Sequence, residues 1–336
     1  MRPLLHPILL NGRSGDPALY IETLFEKRAI MLDLGDISNL PPRKIQRLEH
    51  VFVSHAHIDH FIGFDRLLRV LVGREKIVRL YGPEGFIDHV FHKLAAYRWN
   101  LVDRFTADLV FVVTEIGSDQ ATRTAHLRLK NGFAAEPAGC APLCGGVLYS
   151  EPTFRVTTTV LQHRTPCLGF AIEETAHVNV WKNRLNELGL AVGPWLRELK
   201  RAVVENRPDD HPIEVGLASE PTQKAAMPLK TLRSAVTVTP GQKIGYVTDV
   251  ADSTANRQAI VQLVRNADLL FIEAAFAEAD TALAADRAHL TTAAAGSIAR
   301  EAAVRRVEPF HFSPRYSGQE ARLLGEVMTA FLGERQ

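Results

Sequence analysis

The segment SHAHIDH, residues 54–60, carries three histidines and an aspartate directly after an apolar run. Side chains two residues apart on an extended segment share a face, so His55 and His57 can bind one metal ion. Asp59 and His60 lie in the turn that follows and can bind a second ion. Imidazole and carboxylate without thiolate favour zinc, with manganese or iron as alternatives. The segment predicts a site for two metal ions at a strand end; the alternative is a group of surface histidines.

Two ions need more ligands than one loop provides, so further donors are expected at the ends of other strands. Three polar residues fit, because each follows an apolar run: His163, Asp249 and His311. Any one of them could instead be an ordinary polar residue at a strand end. Together with the histidine segment, they predict a single site built from several strand ends.

The size and composition are those of an ordinary globular protein. The chain has 336 residues, of which 46% are hydrophobic and 23% charged, with a formal net charge of +1. This length suits one large domain with insertions or two domains, and the overall charge identifies no partner. We find neither a signal peptide nor a run of about 18 apolar residues, so we expect a cytoplasmic location and no membrane partner. Three cysteines, Cys140, Cys144 and Cys167, are too few for a disulfide framework and are expected to be reduced thiols.

Secondary-structure patterns favour a layered α/β fold. Short apolar runs between turn residues predict strands in both halves of the chain, with amphipathic helices between them. This order favours two sheets inside and helices outside, a four-layer arrangement. Segment 134–146 is predicted to be a loop, and segment 207–230, which is rich in proline and charge, is predicted to be an exposed linker or flexible insertion. Segment 181–205 has a polar helical pattern that is broken at Gly193-Pro194.

The histidine segment resembles the HxHxDH signature of the metallo-β-lactamase superfamily. Later segments are similar, in the same order, to motifs of the tRNase Z family, endonucleases that mature the 3′ end of tRNA precursors. These segments are HRTPCLGF (163–170), GYVTD (245–249), IEAAF (272–276), AHLTTAAAGSIA (288–299) and HFSPRY (311–316). The resemblance implies a single domain over residues 1–336 with the superfamily's αβ/βα four-layer sandwich, in which outer helices cover two central mixed β-sheets.

The resemblance also implies a set of metal ligands and a reaction. It implies that His55, His57 and His163 hold one zinc, that Asp59, His60 and His311 hold the other, and that Asp249 bridges them. A water between two such ions loses a proton near neutral pH and can attack phosphorus. Asp59 is counted among the catalytic residues as well as among the ligands. The resemblance thus implies a phosphodiesterase with two Zn²⁺ per chain, or Mn²⁺ or Fe²⁺ in their place, acting on precursor tRNA.

Five further residues receive roles from the same resemblance. The leaving 3′ oxygen needs a proton, which the resemblance assigns to His289, oriented by Glu273. Arg315 would contact phosphate, with help from Ser313 and Tyr316. The alternatives are that His289 is an ordinary residue before a helix, that Glu273 is a buried structural acid, and that Arg315 forms an ion pair that stabilises the fold.

Segment 177–232 is expected to be an inserted arm or lid. In the tRNase Z family an arm with a Gly-Pro motif grips the tRNA elbow across a dimer, and Gly193-Pro194 matches this motif, so the resemblance implies a homodimer. From Lys182 to Asp210 there are six Lys/Arg and five Asp/Glu, and a nearly neutral arm holds RNA less strongly than a basic one. The alternative is that Trp195 and Leu196 pack a short helix onto the body of the protein.

The family resemblance is weakest before the histidine segment. The family carries an acidic, glycine-rich segment there, which in this chain reads DLGDISNL, residues 33–40, with Asp36 as the one clear match. Two other functions therefore stay open. One is a metal-dependent hydrolase of small phosphodiesters or other small esters or lactones, and the other is an RNA-binding relative that does not cleave.

Overall fold

The computed structural model describes residues 4–24, 27–219 and 224–333. The chain divides into two compact units. Unit 1 comprises Met1–Glu151, Arg155–Glu173 and Gln242–Gln336, and unit 2 comprises Pro152–Phe154 and Glu174–Gly241. The residue range of unit 2 includes segment 177–232, and the role of this segment as an arm stays a prediction.

The strands, in chain order, are β1 Leu5–Leu9, β2 Leu19–Thr23, β3 Ala29–Leu32, β4 Leu48–Phe52, β5 Lys76–Pro83, β6 Leu109–Ile116, β7 Ala121–Arg128, β8 Ala135–Pro142, β9 Val147–Ser150, β10 Phe154–Gln162, β11 Pro166–Glu174, β12 His177–Val180, β13 Pro212–Gly216, β14 Lys224–Pro228, β15 Val236–Thr239, β16 Lys243–Val247, β17 Leu269–Glu273 and β18 Val307–Phe310. The α-helices are α1 Pro42–Ile45, α2 Ile58–Phe61, α3 Phe64–Leu71, α4 Phe86–Ala95, α5 Lys182–Glu187, α6 Leu196–Val204, α7 Leu229–Arg233, α8 Thr254–Val264, α9 Thr281–Arg287, α10 Thr292–Glu301 and α11 Glu320–Leu332. Over the described ranges, every helix is too short or too polar to cross a lipid bilayer.

Unit 1 contains two mixed sheets. Strands β1 to β8 form an eight-stranded sheet in sequential order, in which β3 to β6 run parallel and the outer strands pair antiparallel. The second sheet has the order β18-β17-β16-β11-β10-β9, with β16, β17 and β18 parallel to one another. The predicted pair of mixed central sheets is confirmed.

Side-chain alternation builds the layers of unit 1. On β4, Val51 faces a core shared with α3 and α4, whereas Phe52 points to the opposite face of the sheet. There its ring centroid lies 5.6 Å from that of Phe170 on β11, which joins the two sheets. Helices α8, α10 and α11 bury their apolar residues on the outer face of the second sheet, around Leu270 and Ile272. The predicted arrangement of sheets inside and helices outside is therefore confirmed for this unit.

Unit 2 has a small core of its own. It contains the antiparallel pairs β12 with β15 and β13 with β14, together with helices α5, α6 and α7. Leu185, Leu199 and Leu232 are fully buried in this core, against which Trp195 and Leu196 also pack. The predicted helix break falls between the end of α5 and the start of α6. Trp195 and Leu196 thus pack on the core of unit 2 itself.

Two segments predicted to lack structure form strands. Segment 134–146 was expected to be a loop, but it contains β8, which pairs with β7 as the last strand of the larger sheet. An edge strand tolerates its prolines and glycine because one of its edges needs no partner. Segment 207–230 is predicted to be an exposed linker or flexible insertion with little periodicity, but β13 and β14 in this segment pair over five residues on each strand. The two strands are joined by backbone hydrogen bonds, which do not depend on side-chain composition. The proline and charge content of the segment therefore did not indicate this pairing.

Candidate metal centre

The candidate ligands lie where strands of unit 1 end. The histidine segment follows β4, His163 follows β10, and Asp249 comes shortly after β16. Glu273 is the last residue of β17, and His311 follows β18. Because β16, β17 and β18 are parallel, their carboxyl ends meet at one edge of the sheet, which is where α/β folds commonly place a site.

The structure brings all seven predicted metal ligands into two groups. Ligand atoms within each group lie within 4.8 Å of one another. One group is His55, His57, His163 and Asp249, and the other is Asp59, His60 and His311. Their geometry matches the division of ligands that the family resemblance implies.

Asp249 stands between the two groups, and each of its carboxylate oxygens faces one of them. Its Oδ2 atom lies 3.7 Å from His55 Nε2 and 3.8 Å from His163 Nε2. Its Oδ1 atom lies 3.4 Å from His60 Nε2 and 3.0 Å from His311 Nδ1. This side chain is therefore placed to bridge two ions.

Three buried imidazole nitrogens in the cluster face the Asp249 carboxylate but make no hydrogen bond of good geometry within the described residues: His55 Nε2, His60 Nε2 and His311 Nδ1. Buried polar atoms in folded proteins almost always have a partner, so unsatisfied atoms need an explanation. Imidazole nitrogen is a preferred ligand of zinc and similar cations, and a cation would satisfy each of these atoms. The residues present therefore fit a pair of metal ions.

The electrostatics of the cluster also favour bound cations. Burial lowers the pKa of His55 to about 2, which keeps its ring neutral and able to donate a lone pair to a metal. Burial opposes protonation of His311 too, but the charge of Asp249 outweighs it and raises the pKa of His311 to about 10. Burial raises the pKa of Asp249, but the charges of His311 and His60 lower it well below its usual value. The ionised Asp249 thus attracts positive charge, either as protons on these imidazoles or as cations in their place.

Asp33 is a buried carboxylate that contacts the ring of the candidate ligand His60 on the side away from Asp249. Its Oδ2 atom lies 2.9 Å from His60 Nδ1 and accepts hydrogen bonds from Ser54 Oγ at 2.9 Å and Tyr246 Oη at 2.8 Å. Its Oδ1 atom accepts from the backbone N–H of Ser54 at 2.6 Å. A carboxylate on the far nitrogen of a ligating histidine fixes the ring and raises its basicity.

Sequence reasoning missed Asp33 and chose Asp36 as the remnant of the family's acidic segment. The Asp36 carboxylate accepts hydrogen bonds from Ser38 in its own turn, at 2.8 and 3.0 Å. Asp33 directly follows β3, so the rule that identified His163 and His311, a polar residue at a strand end, would also have found it.

Close backbone packing fixes the segment after β3 against the histidine segment. A Cβ atom on Gly63 would lie 2.2 Å from the carbonyl oxygen of Gly35, and one on Gly35 would lie 2.6 Å from the carbonyl oxygen of Asp59. Both positions need glycine because no side chain fits between these backbones.

His163 is oriented by the backbone instead of by a carboxylate. Its Nδ1 lies 2.8 Å from the carbonyl oxygen of Ala288, to which it donates a hydrogen bond as the Nδ1–H tautomer. That tautomer leaves Nε2 free to face Asp249 and a metal ion.

Glu273 and His289 form a pair beside the metal ligands. Glu273 is fully buried, and its Oε2 atom lies 3.1 Å from His289 Nδ1. Its Oε1 atom accepts a hydrogen bond from the backbone N–H of Val250 at 2.8 Å, which holds the carboxylate in place. Burial alone would lower the pKa of His289, but the charge of Glu273 outweighs it and raises that pKa. His289 Nε2 lies 4.0 Å from Asp249, so the ring faces the metal cluster.

A cavity of about 550 Å³ opens over the cluster. Ser313 and Arg315 line it, as their predicted phosphate contacts require. Arg164 and Arg287 line it too, although sequence reasoning singled out neither of them. Both lie next to chemistry-bearing motifs, because Arg164 follows His163 and Arg287 lies two residues before His289. Their closeness in sequence to these two histidines could have identified them.

Tyr316 does not reach this cavity. It is buried, and its hydroxyl donates to the Asp280 carboxylate and accepts from the backbone N–H of Ala277 at 3.2 Å. Its ring lies under Arg315, with the guanidinium carbon 5.8 Å from the ring centroid. The structure therefore gives Tyr316 a supporting role under Arg315 instead of the predicted phosphate contact.

Comparisons with known proteins extend over most of the chain. Residues 31–206 and 209–312 match a family model described as the beta-lactamase superfamily domain. A ribonuclease Z of Deinococcus radiodurans is 31% identical over 319 residues, which cover 93% of this chain and 91% of that relative. A ribonuclease Z of Synechocystis sp. is 29% identical over 299 residues, which cover 87% of this chain and 76% of that relative.

Two solved structures share the fold. The short form of human tRNase Z superposes with a TM-score of 0.54 at 18% identity, covering 93% of this chain and 92% of that chain. The metallo-beta-lactamase fold protein YhfI of Bacillus subtilis superposes with a TM-score of 0.54 at 16% identity, covering 98% of this chain and 95% of that chain. At these identities the likeness establishes the architecture alone.

Proposed function

The chain belongs to the ribonuclease Z family within the beta-lactamase superfamily, and from that premise we propose that it is an endoribonuclease that cleaves precursor tRNA at its 3′ end, using two Zn²⁺ ions per chain. The observation that carries the proposal is the pair of ligand groups on either side of Asp249, whose buried imidazole nitrogens would be satisfied by a cation.

The two ligand groups suit two ions. His55, His57 and His163 would hold one ion, Asp59, His60 and His311 would hold the other, and Asp249 would contact both. When bound, such ions supply Lewis acidity toward phosphoryl oxygens and make water acidic enough to act as a nucleophile near neutral pH. Asp33 and the carbonyl of Ala288 keep two of the ligand rings turned toward Asp249, where the ions would be held.

His289 is placed to supply the proton that the leaving 3′ oxygen requires. Its Nδ1 is held by Glu273, whose buried negative charge favours the protonated imidazole, and its Nε2 faces the cluster. His289 lines the same cavity as the candidate ligands, so its proton would complete the hydrolysis by neutralising the leaving oxygen. Glu273 acts through His289 and is a positioning residue.

The arginines of the cavity favour a polyanionic chain over a small ester. Arg315 is exposed beside Ser313, while Arg164 and Arg287 approach from the segments around His163 and His289. An RNA strand carries a phosphate on every nucleotide, so arginines on different walls of the cavity can each contact a different phosphate. This distribution of charge supports RNA as the substrate.

We also propose that unit 2 is the RNA-gripping arm of a homodimer, as the Gly193-Pro194 match suggests. Most of its cations are paired with acids of the same unit, among them Arg184 with Glu187 and Arg201 with Glu198. Lys182 and Lys200 are exposed and form no ion pair with the described residues. Such an arm would contribute few phosphate contacts. A cytoplasmic location stays a prediction.

The test is cleavage of an unprocessed tRNA by zinc-loaded protein, with and without chelator, alongside metal analysis and Asp59→Ala. We expect about two ions per chain, products ending in a 3′ hydroxyl, and loss of activity with chelator and in the variant. Turnover of a small chromogenic phosphodiester without tRNA cleavage would favour the small-ester hydrolase. Binding of tRNA by fully loaded protein without any cleavage would favour an RNA-binding relative.

A further inference from the structure

A second, smaller cavity adjoins the metal cluster. Its volume is about 240 Å³, and it shares His289, His311 and Ser313 with the main cavity. Its other side is formed by the turn that carries Ser14 and Asp16. Pockets that enclose whole drug-sized ligands measure roughly 300–1,000 Å³, so this one suits a smaller group, such as a single sugar ring.

Asp16 presents an unused carboxylate to this cavity. Its backbone carbonyl accepts a hydrogen bond from Asn11 Nδ2 at 2.9 Å, but its side chain makes no hydrogen bond or ion pair with the described residues. Its Cβ atom would lie 2.6 Å from a Cβ placed on Gly35, so the side chain packs directly on that glycine. The charge is half-buried and available to a ligand.

The turn that carries Asp16 is held rigidly. The backbone N–H of Phe312, next to the ligand His311, donates to the carbonyl oxygen of Arg13 at 2.8 Å. The Arg13 guanidinium donates to the carbonyl oxygen of Pro309 at 2.5 Å and to Glu308 Oε2 at 2.6 Å. The Asp16 carboxylate therefore keeps its place relative to the metal cluster, as a recognition group must.

The charges on the two sides of the cluster differ in sign. The main cavity presents Arg164, Arg287 and Arg315, which attract phosphates, whereas the smaller cavity presents Asp16, which repels them. An ionised carboxylate only accepts hydrogen bonds, so its ligand must be a donor. Close to a cleaved RNA phosphate, the abundant neutral donor is the ribose 2′-hydroxyl, the group by which proteins distinguish RNA from DNA.

We propose that the smaller cavity is a ribose subsite, in which Asp16 accepts a hydrogen bond from the 2′-hydroxyl of a nucleotide flanking the cleaved bond. Ser14 and Ser313 provide further hydroxyls around the same sugar. The inference rests on the proposed cleavage of RNA and adds the residue that selects ribose over deoxyribose. Because water attacks phosphorus in that reaction, the 2′-hydroxyl is not a reactant, and a deoxy substitution leaves the bond cleavable.

The experiment compares zinc-loaded wild type and Asp16→Ala on three precursor tRNAs. One is all-ribose, one carries a single 2′-deoxy nucleotide on the 5′ side of the cleaved bond, and one carries it on the 3′ side. We expect one deoxy substitution to lower kcat/KM of the wild type about tenfold, the usual effect of losing a hydrogen bond to a charged group. In Asp16→Ala the ratio between ribose and deoxy substrates should fall to about one.

Two further variants keep the result interpretable. Asp103→Ala removes an exposed carboxylate that lines neither cavity and should keep the wild-type ratio. Asp16→Asn retains an acceptor oxygen without charge and should give an intermediate ratio, which also covers the case in which Asp16→Ala does not fold. A wild type that cleaves all three RNAs equally, or a ratio unchanged in both Asp16 variants, would overturn the subsite and leave RNA cleavage standing. A wild type that cleaves no RNA would instead remove the proposed function itself.

Discussion

The Oδ2 atom of Asp33 lies 2.9 Å from Nδ1 of His60, and neither side chain is exposed to solvent. This contact turns His60 Nε2 toward Asp59 and Asp249, each 3.4 Å away. Asp33 has a backbone φ of 56°, a left-handed conformation that is rare outside glycine and is held here by the surrounding hydrogen bonds. It therefore serves as a positioning residue for one of the candidate ligands.

Replacing Asp33 should weaken metal binding without removing a ligand. We expect Asp33→Asn to lower the affinity for zinc by about 10- to 100-fold, the usual effect of losing a carboxylate behind a ligating histidine. Calorimetric titration of metal-free protein measures this directly. Asp36→Asn is the matched control, because its carboxylate contacts Ser38 alone among the described residues. Equal affinities in the two variants would show that Asp33 does not position His60.

If His289 donates a proton and Glu273 favours its protonated form, the effect of mutating either residue on kcat should depend on the leaving group of the substrate. Glu273→Gln keeps the shape of the side chain but removes the charge that favours the protonated His289. Proton donation from His289 to a poor leaving group should therefore become slower. We expect kcat on precursor tRNA to fall about 100-fold, within the usual range for general acid catalysis, with a much smaller loss on a p-nitrophenyl phosphodiester. Steady-state kinetics on both substrates, with metal content measured in parallel, provides the check.

Two further variants, His289→Ala and the control Glu278→Gln, are measured in the same kinetic comparison. His289→Ala should show the same selective loss as Glu273→Gln, because both changes act on one proton donor. Glu278→Gln changes an exposed acid on the following segment and should leave both rates as they are. Equal losses on the two substrates would mean that the pair supports the site structurally and does not donate the proton.

The arginines of the main cavity predict a salt effect. Arg164→Ala and Arg287→Ala should each raise KM for precursor tRNA and lower by about one the slope of log affinity against log salt. KM for a small phosphodiester should change little. Arg104→Ala is the matched control, an exposed arginine that lines neither cavity. If salt dependence were unchanged in both cavity variants, neither side chain would contact an RNA phosphate.

The sequence predicts the candidate ligands better than the residues that support them. His55 to His60 form a local motif, and His163, Asp249 and His311 each follow an apolar run, so strand ends reveal them without knowledge of the sheet order. The contact between Asp33 and His60 spans 27 residues and depends on the pairing of β3 with β4. Tyr246 reaches the same carboxylate across 213 residues, a distance at which a local pattern carries no information.

The strands likewise differ in how well the sequence predicts them. Short apolar runs predict the buried strands of unit 1, such as β4 and β16, because both faces of these strands are covered by the hydrophobic interior. Strand β8 is almost wholly exposed, and its pairing with β7 rests on backbone hydrogen bonds that any sequence can make. Strands β13 and β14 do alternate between buried and exposed residues, but each is only five residues long and lies in a segment rich in proline and charge. Strand β8 therefore depends on its neighbour and not on its own composition, whereas β13 and β14 are too short for their alternation to stand out.

The ion pair between Arg13 and Glu308 predicts a pH-dependent stability. Burial raises the pKa of Glu308, but hydrogen bonds from Arg13 and Arg306 outweigh it and lower that pKa below its usual value. A lowered carboxyl pKa contributes stability above the unfolded value of about 4.3, and this contribution is lost as pH falls through the folded value. We expect Glu308→Gln to lower the free energy of unfolding at neutral pH by about 1 kcal/mol, allowing for solvent screening of a partly exposed pair.

Urea unfolding of metal-free wild type and Glu308→Gln, at pH about 7 and again near pH 3, tests this expectation. The difference between the two proteins should shrink at the lower pH, because the protonated Glu308 no longer pairs with Arg13. Glu320→Gln is the matched control: Glu320 lies 3.3 Å from the same guanidinium, but its side chain is 54% exposed, so its effect should be smaller. A difference that persists undiminished at low pH would mean that packing of the Glu308 side chain, and not its charge, holds the turn of Arg13 and Asp16 beside the metal cluster.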